Sequence, residues 1–145
     1  MTVSCRCDPS PHDPLLSDFA QVRESLLFVS SGGISRVVQT TFPAKPRIHL
    51  AMVVHLPAGS LGEPHQVRIK LKYPDQAALI AQVDIVINLE EVPGAAPGEG
   101  INVPQVIDLS PVAFAHPGQL DVQVSIDDEP VGDLTFWMLQ SAQRP

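Results

Sequence analysis

The alternation of apolar and polar side chains between residues 66 and 73 constrains the fold of this chain more than any other feature. Apolar Val67, Ile69, Leu71 and Tyr73 are interleaved with polar Gln66, Arg68, Lys70 and Lys72. Successive side chains of a β-strand point to opposite faces, so this pattern indicates a strand with one buried and one solvated face. Such strands are typical of antiparallel sheets.

Further segments with strand-like patterns follow one another along the chain, separated by turns rich in the fifteen prolines and nine glycines. They cover residues 34–42, 47–56, 81–89, 101–109, 119–126 and 131–139. Pro104 lacks a backbone N–H and indicates an edge position for its strand. We therefore expect an all-β fold, a single antiparallel β-sandwich of about seven or eight strands. The expected domain covers residues 14–140, after a flexible segment 1–13 and before a C-terminal tail 141–145.

Residues 15–30 allow two interpretations. Asp13-Pro14 could cap a helix, with Leu15, Phe19, Val22 and Leu26 on one face at helical spacing. Alternatively, the apolar run 26–29, followed by Ser30-Ser31-Gly32-Gly33, reads as a strand that ends in a turn. Periodicity alone leaves the helix and the strand-turn-strand open.

Several short motifs span most of the predicted domain: 18–22, 27–29, Gly32-Gly33, Val103-Pro104, 116–118, 125–127 and 134–136. With these motifs the chain resembles an uncharacterised bacterial family, a domain of unknown function, whose members are small immunoglobulin-like β-sandwiches. The resemblance implies that fold and favours strands over a helix for residues 15–30. Glu24-Ser25 stands where the family has a tight Asp-Gly-type turn. The resemblance brings no activity, cofactor or catalytic residue.

The charge and the apolar segments exclude two classes of partner. The net charge is −7, and the nine Lys and Arg residues are mostly isolated, which is unsuited to binding nucleic acid or an anionic membrane surface. No apolar stretch is long enough to cross a bilayer. The first residues lack the apolar core of a secretory signal, so we expect a cytoplasmic protein.

Candidate chemical groups are few. Cys5, Cys7 and His12 form at most an incomplete metal-ligand set, because a structural zinc site usually has four ligands. His49 and His55 share a strand face, but six residues of strand hold them about 20 Å apart. No nucleophile elbow or glycine-rich phosphate loop is present. We therefore expect no enzymatic activity and no cofactor.

Two features are candidates for an interface. Arg68, Lys70 and Lys72 form a basic stripe on one strand face, and Trp137 alternates with Phe136, so one of that pair should face outward. The resulting hypothesis is a non-enzymatic protein-interaction module, an accessory or structural subunit that docks on a protein partner or self-associates. A small-ligand or carbohydrate-binding sandwich is the alternative. A metal-binding protein that uses His49 and His55, or Cys5 and Cys7, is a further one.

Overall fold

The computed structural model of the protein describes residues 10–11, 14–90 and 93–142. Within them the regular elements are ten strands and one short 3-10 helix, Ala58–Ser60, and no α-helix. The strands are β1 Ser10–Pro11, β2 Leu15–Arg23, β3 Leu26–Gly32, β4 Arg36–Gln39, β5 His49–Leu56, β6 His65–Lys72, β7 Ala81–Ile87, β8 Ile101–Asp108, β9 Gly118–Ile126 and β10 Glu129–Gln140. The all-β prediction is confirmed.

The strands form two sheets. In the first sheet β5 is central: β8 pairs with one of its edges, β1 and β2 pair with the other, and β3 pairs with β2. The second sheet has the order β4-β10-β9-β6-β7. The apolar faces of both sheets contribute to one core, in which the Phe114 and Phe136 rings meet edge to face with centroids 6.2 Å apart.

The alternation that predicted β6 is realised without exception, since buried and half-buried residues alternate along its full length. Pro104 lies on β8, which pairs with β5 alone among the ten described strands and is an edge strand, as predicted. On β10 Phe136 is fully buried and Trp137 is exposed, so the alternation also assigned this pair to opposite faces.

The open question of residues 15–30 is resolved in favour of strands, which confirms what the resemblance implied. β2 and β3 form an antiparallel hairpin around Glu24 and Ser25. Both turn residues have positive φ, 51° and 60°, as a two-residue type I′ turn requires.

The prediction of a wholly antiparallel arrangement is wrong at one pair: β4 runs parallel to β10, with Val37 opposite Met138. Parallel neighbours require a long connection, and here the chain passes through both sheets between the two strands. β4 is also shorter than the predicted strand 34–42. Of the predicted lead-in 1–13, Ser10–Pro11 pair with β5, and its other residues lie outside the described ones.

Candidate interaction surface

The β2–β3 hairpin extends beyond the sheet to which it belongs. β2 pairs with β5 only from Leu15 to Ser17, opposite Ala51 to His49. From Phe19 to Ser30 the two strands pair with each other and with no other part of the chain that the structure describes. We call residues 19–30 the arm.

The arm carries a concentration of exposed apolar side chains. Five of the nine large apolar residues exposed in the described part of the chain belong to it: Phe19, Val22, Leu26, Phe28 and Val29. Leu26 is 60% exposed and Phe28 49%. Because directly paired residues share a face, Leu26 and Phe28 lie on one face of the arm, and Val22 and Val29 on the other. Exposed apolar residues that cluster on one element mark an interaction site more often than scattered single ones do.

β3 is an edge strand without the usual protection against pairing. Leu26–Gly32 contains no charged residue and no proline, and among the described strands β2 is its only partner. Arg23 and Leu26 flank the two-residue turn and exchange both backbone hydrogen bonds, so bonded pairs recur at Gln21–Phe28 and Phe19–Ser30. The peptide groups of Leu27 and Val29 therefore point away from β2, toward a free edge.

The base of the arm is fastened to the body of the protein through His49. Its Nδ1 donates a hydrogen bond to the Asp18 carbonyl at 3.1 Å, and the Phe19 ring meets the imidazole edge to face, with centroids 5.3 Å apart. Nε2 lies 3.7 Å from Asp108 Oδ1. The hydrogen bonds from Ser110 hold the pKa of Asp108 below its usual value, and the charge of His49 adds to this. These contacts hold the arm to the first sheet.

His65, which the sequence patterns did not single out, is the one buried histidine among the described residues. His65 is 6% exposed; its Nδ1 donates to Asp127 Oδ2 and its Nε2 to the Ser60 carbonyl, both at 2.7 Å. Burial alone would lower the pKa of His65, but the bonds to Asp127 and Ser60 and the charges of Asp127 and Glu63 outweigh it and raise the pKa. The sequence did contain a signal for this burial, because His65 lies two residues before Val67 and therefore on the same, inward face of β6.

The His65 cluster lacks the geometry of a catalytic triad. Nε2 faces a carbonyl oxygen, and the Ser60 hydroxyl donates to the Pro57 carbonyl at 2.8 Å. In a triad the second ring nitrogen would accept from a hydroxyl nucleophile. The two nitrogens of His65 instead join two segments, the 3-10 helix that ends at Ser60 and the β9–β10 turn at Asp127.

The predicted basic stripe lies on the outer face of the second sheet, where Arg68 is already paired. Its Nε bonds Asp84 Oδ1 at 2.9 Å, and its Nη1 lies 3.5 Å from Asp128 Oδ1. The bond from Arg68 lowers the pKa of Asp84 and raises that of Arg68. Lys72 lies opposite Asp121 on β9. Of the stripe, Arg68 is thus engaged in ion pairs, whereas Lys70 lies between Gln82 and Gln123.

An open cleft of about 540 Å³ lies over this face and brings Arg68 and Lys70 together with Asp128 and Asp133. Its walls also include the irregularity of β10 between Pro130 and Gly132. No aromatic residue lines it, and the exposed Trp137 is outside it.

The structure does not bring the predicted metal ligands His49 and His55 together. His55 Nδ1 bonds Asn102 Oδ1 at 2.7 Å, whereas His49 is engaged with Asp18 and Asp108. Residues 14–90 and 93–142 contain no cluster of three His, Cys, Asp or Glu residues arranged to hold a metal ion. Cys5, Cys7 and His12 lie outside the described residues.

The fold and this surface define a small two-sheet β-protein with a projecting hairpin. The chain belongs to DUF6941, a family of unknown function whose model matches residues 13–138. No curated protein matches its sequence. The described residues include no helix that is long and apolar enough to cross a membrane.

Proposed function

We propose that the protein is a non-enzymatic interaction module, an accessory or structural subunit that docks on a protein surface or on a further copy of itself through the arm. The single observation that carries this proposal is the arm, which places apolar side chains on both faces of a two-stranded ribbon outside the core. A strand pair inside a fold normally buries one face, and the arm buries neither of its faces fully.

The energetics of apolar burial favour an occupied arm. Fully burying an exposed Leu or Phe side chain contributes about 1.5–3 kcal/mol, and Leu26 and Phe28, which are 60% and 49% exposed, would gain roughly half of that when covered. Leu26 and Phe28 lie on one face of the arm and Val29 on the other, so a partner that contacts both faces gains from several such residues. The attachment through His49 supports this role, because an arm held to the body loses less conformational freedom on binding.

The remaining sites support binding less well. The cleft over the second sheet is open and lined by both signs of charge, and lacks the aromatic surface on which a sugar ring would stack. In the His65 cluster both ring nitrogens are committed to structural acceptors, which supports a non-enzymatic role.

We propose an immunoglobulin-like arrangement of the two sheets and a bacterial source, both from the resemblance of the sequence motifs. We also propose a cytoplasmic location, because only two cysteines are present and they cannot supply the disulfide framework of a small secreted domain.

The proposal is tested by a matched pair of surface substitutions. Phe28→Ser removes an aromatic ring from the arm, and Val86→Ser removes an apolar side chain that is 66% exposed on the second sheet. We expect Phe28→Ser to weaken association about tenfold, equivalent to about 1.4 kcal/mol. The readouts are the native mass of the purified protein and the yield of any stoichiometric protein that accompanies it. Equal effects of the two substitutions, or no effect of either, would overturn the proposal.

A further inference from the structure

We infer that β3 pairs antiparallel with β3 of a second copy of this chain, about a two-fold axis at Phe28, so that the first sheets of the two copies become continuous. This inference rests on the proposed function and names the occupant of the arm.

The direction of the peptide groups selects this register. Only Leu27 and Val29 point their N–H and C=O groups outward from the regular part of β3. With the axis at Phe28, Leu27 of each copy faces Val29 of the other, and both outward residues of both copies are satisfied. With the axis at Leu27, Val29 would face the turn residue Ser25. With the axis at Val29, Leu27 would face Ser31, whose φ of 54° takes it out of strand geometry.

In this register the side chains of one β3 are also complementary to those of the second copy. Phe28 meets Phe28 of the second copy on one face, and aromatic cross-strand pairs of this kind are favourable. On the other face Leu27 meets Val29 in both directions. Leu26 lies opposite Ser30, so no charged group is buried.

Charge favours this strand over other surfaces as the contact between copies. Two chains of net charge −7 repel each other. β3 carries no charge, and the adjacent Arg23 and Glu24 have opposite signs. Two-fold symmetry also closes the assembly, because each β3 edge is used once. A head-to-tail contact would leave a free edge at each end.

Disulfide cross-linking at the axis tests the register. In the proposed ladder Phe28 and its symmetry mate form a non-hydrogen-bonded pair, with Cα atoms about 4.5 Å apart. This separation is within the range of disulfides. A Phe28→Cys variant, with Cys5→Ser and Cys7→Ser to remove the native thiols, should form a covalent dimer in oxidised glutathione.

Ser30→Cys in the same background is the matched control. Ser30 lies on the same face of the arm as Phe28, but it faces Leu26 of the second copy. The two Ser30 residues are therefore offset by four positions, about 13 Å, and should not cross-link. Cross-linking of both variants at the same rate, or of neither, would overturn the inference.

A proline substitution provides a test without oxidation. The Val29 N–H points outward, so Val29→Pro removes a donor from the free edge and leaves the β2–β3 ladder intact. Sedimentation of the native chain should give the mass of two copies, and sedimentation of the Val29→Pro variant the mass of one. A native chain that sediments as one copy contradicts the inference.

The failure of this inference is distinguishable from failure of the proposed function. If the native chain is a single copy but Phe28→Ser releases an accompanying protein, self-pairing is wrong and docking through the arm stands. If Phe28→Ser changes neither mass nor association, both are wrong.

Discussion

Replacement of Asp127 by asparagine keeps the shape of the His65 contact and removes its charge. The introduced amide would still accept from the Gln66 N–H, which lies 2.9 Å from Asp127 Oδ1. It could also donate to a neutral His65 ring. The interaction lost is the one between imidazolium and carboxylate at 2.7 Å. A hydrogen bond to a charged group contributes about 1.5–3 kcal/mol. Because the Asp127 side chain is 47% exposed, solvent reduces this, and we expect a loss of about 1–2 kcal/mol.

The loss should depend on pH in a defined direction. The pKa of His65 is raised in the folded state, so its contribution is complete below the ordinary value of 6.5 and disappears as the pH rises through the folded value. The pKa of Asp127 is lowered: burial would raise it, but the bonds from His65 and Gln66 prevail. Its contribution is present above 3.8 and disappears as the pH falls through the folded value. The pair therefore stabilises the fold most between about pH 4 and 6.5.

Urea unfolding of the native chain and of the Asp127→Asn variant at several pH values measures this difference. We expect the free energies of unfolding to differ most near pH 5.5 and to converge at alkaline pH. Asp128→Asn is the control, since the Asp128 side chain is 82% exposed and lies 3.5 Å from Arg68. Its effect should stay within about 0.5 kcal/mol. A difference for Asp127→Asn that is constant from pH 5 to 9 would refute the assignment of an ion pair.

The remaining predictions concern packing and turns. Phe136→Ala should cost about 3–5 kcal/mol of unfolding free energy because the ring is fully buried, whereas Trp137→Ala should cost less than about 1 kcal/mol; similar costs would contradict the assigned faces. In urea unfolding, Gly100→Ala should destabilise the protein by about 1–3 kcal/mol, since a Cβ there would lie 2.7 Å from the Leu56 carbonyl oxygen. Gly59→Ala should be neutral, because a Cβ at Gly59 meets nothing within 4 Å. Ser25→Gly should raise stability by about 0.5 kcal/mol by relieving a positive φ; a loss would show that the turn is not strained.

The sequence predicted the elements whose side chains alternate against the core. One face of β6 is buried and the other is partly exposed to solvent, so apolar and polar residues alternate in the sequence from Gln66 to Tyr73. Pro104 likewise marked an edge, because a missing N–H is a local property.

The arm was ambiguous for a physical reason. Its exposed apolar residues lie on both faces of a ribbon in which Ala20 is the only buried residue, so the run Leu26 to Val29 shows no alternation of buried and exposed side chains. The same run is the signal for the site, because four consecutive apolar residues in a strand must expose some of them unless both faces are covered.

Contacts between segments far apart in the sequence could not be predicted from local sequence patterns. His65 meets Asp127 because β6 pairs with β9 in a register that brings the Asp127 N–H to the Gln66 carbonyl. The parallel pairing of β4 with β10 has the same origin, since it depends on how the two sheets assemble and not on the residues of β4.

Residue-resolved amide hydrogen exchange of the native chain, measured at low and high protein concentration, tests most directly whether the arm is a docking edge. If β3 pairs between copies, the Leu27 and Val29 amides exchange freely when the protein is dilute and become protected when it is concentrated. The Phe28 amide, bonded to β2, should be protected in both conditions. Free exchange of Leu27 and Val29 at every concentration, with Phe28 protected, would contradict pairing of this edge between copies of the chain.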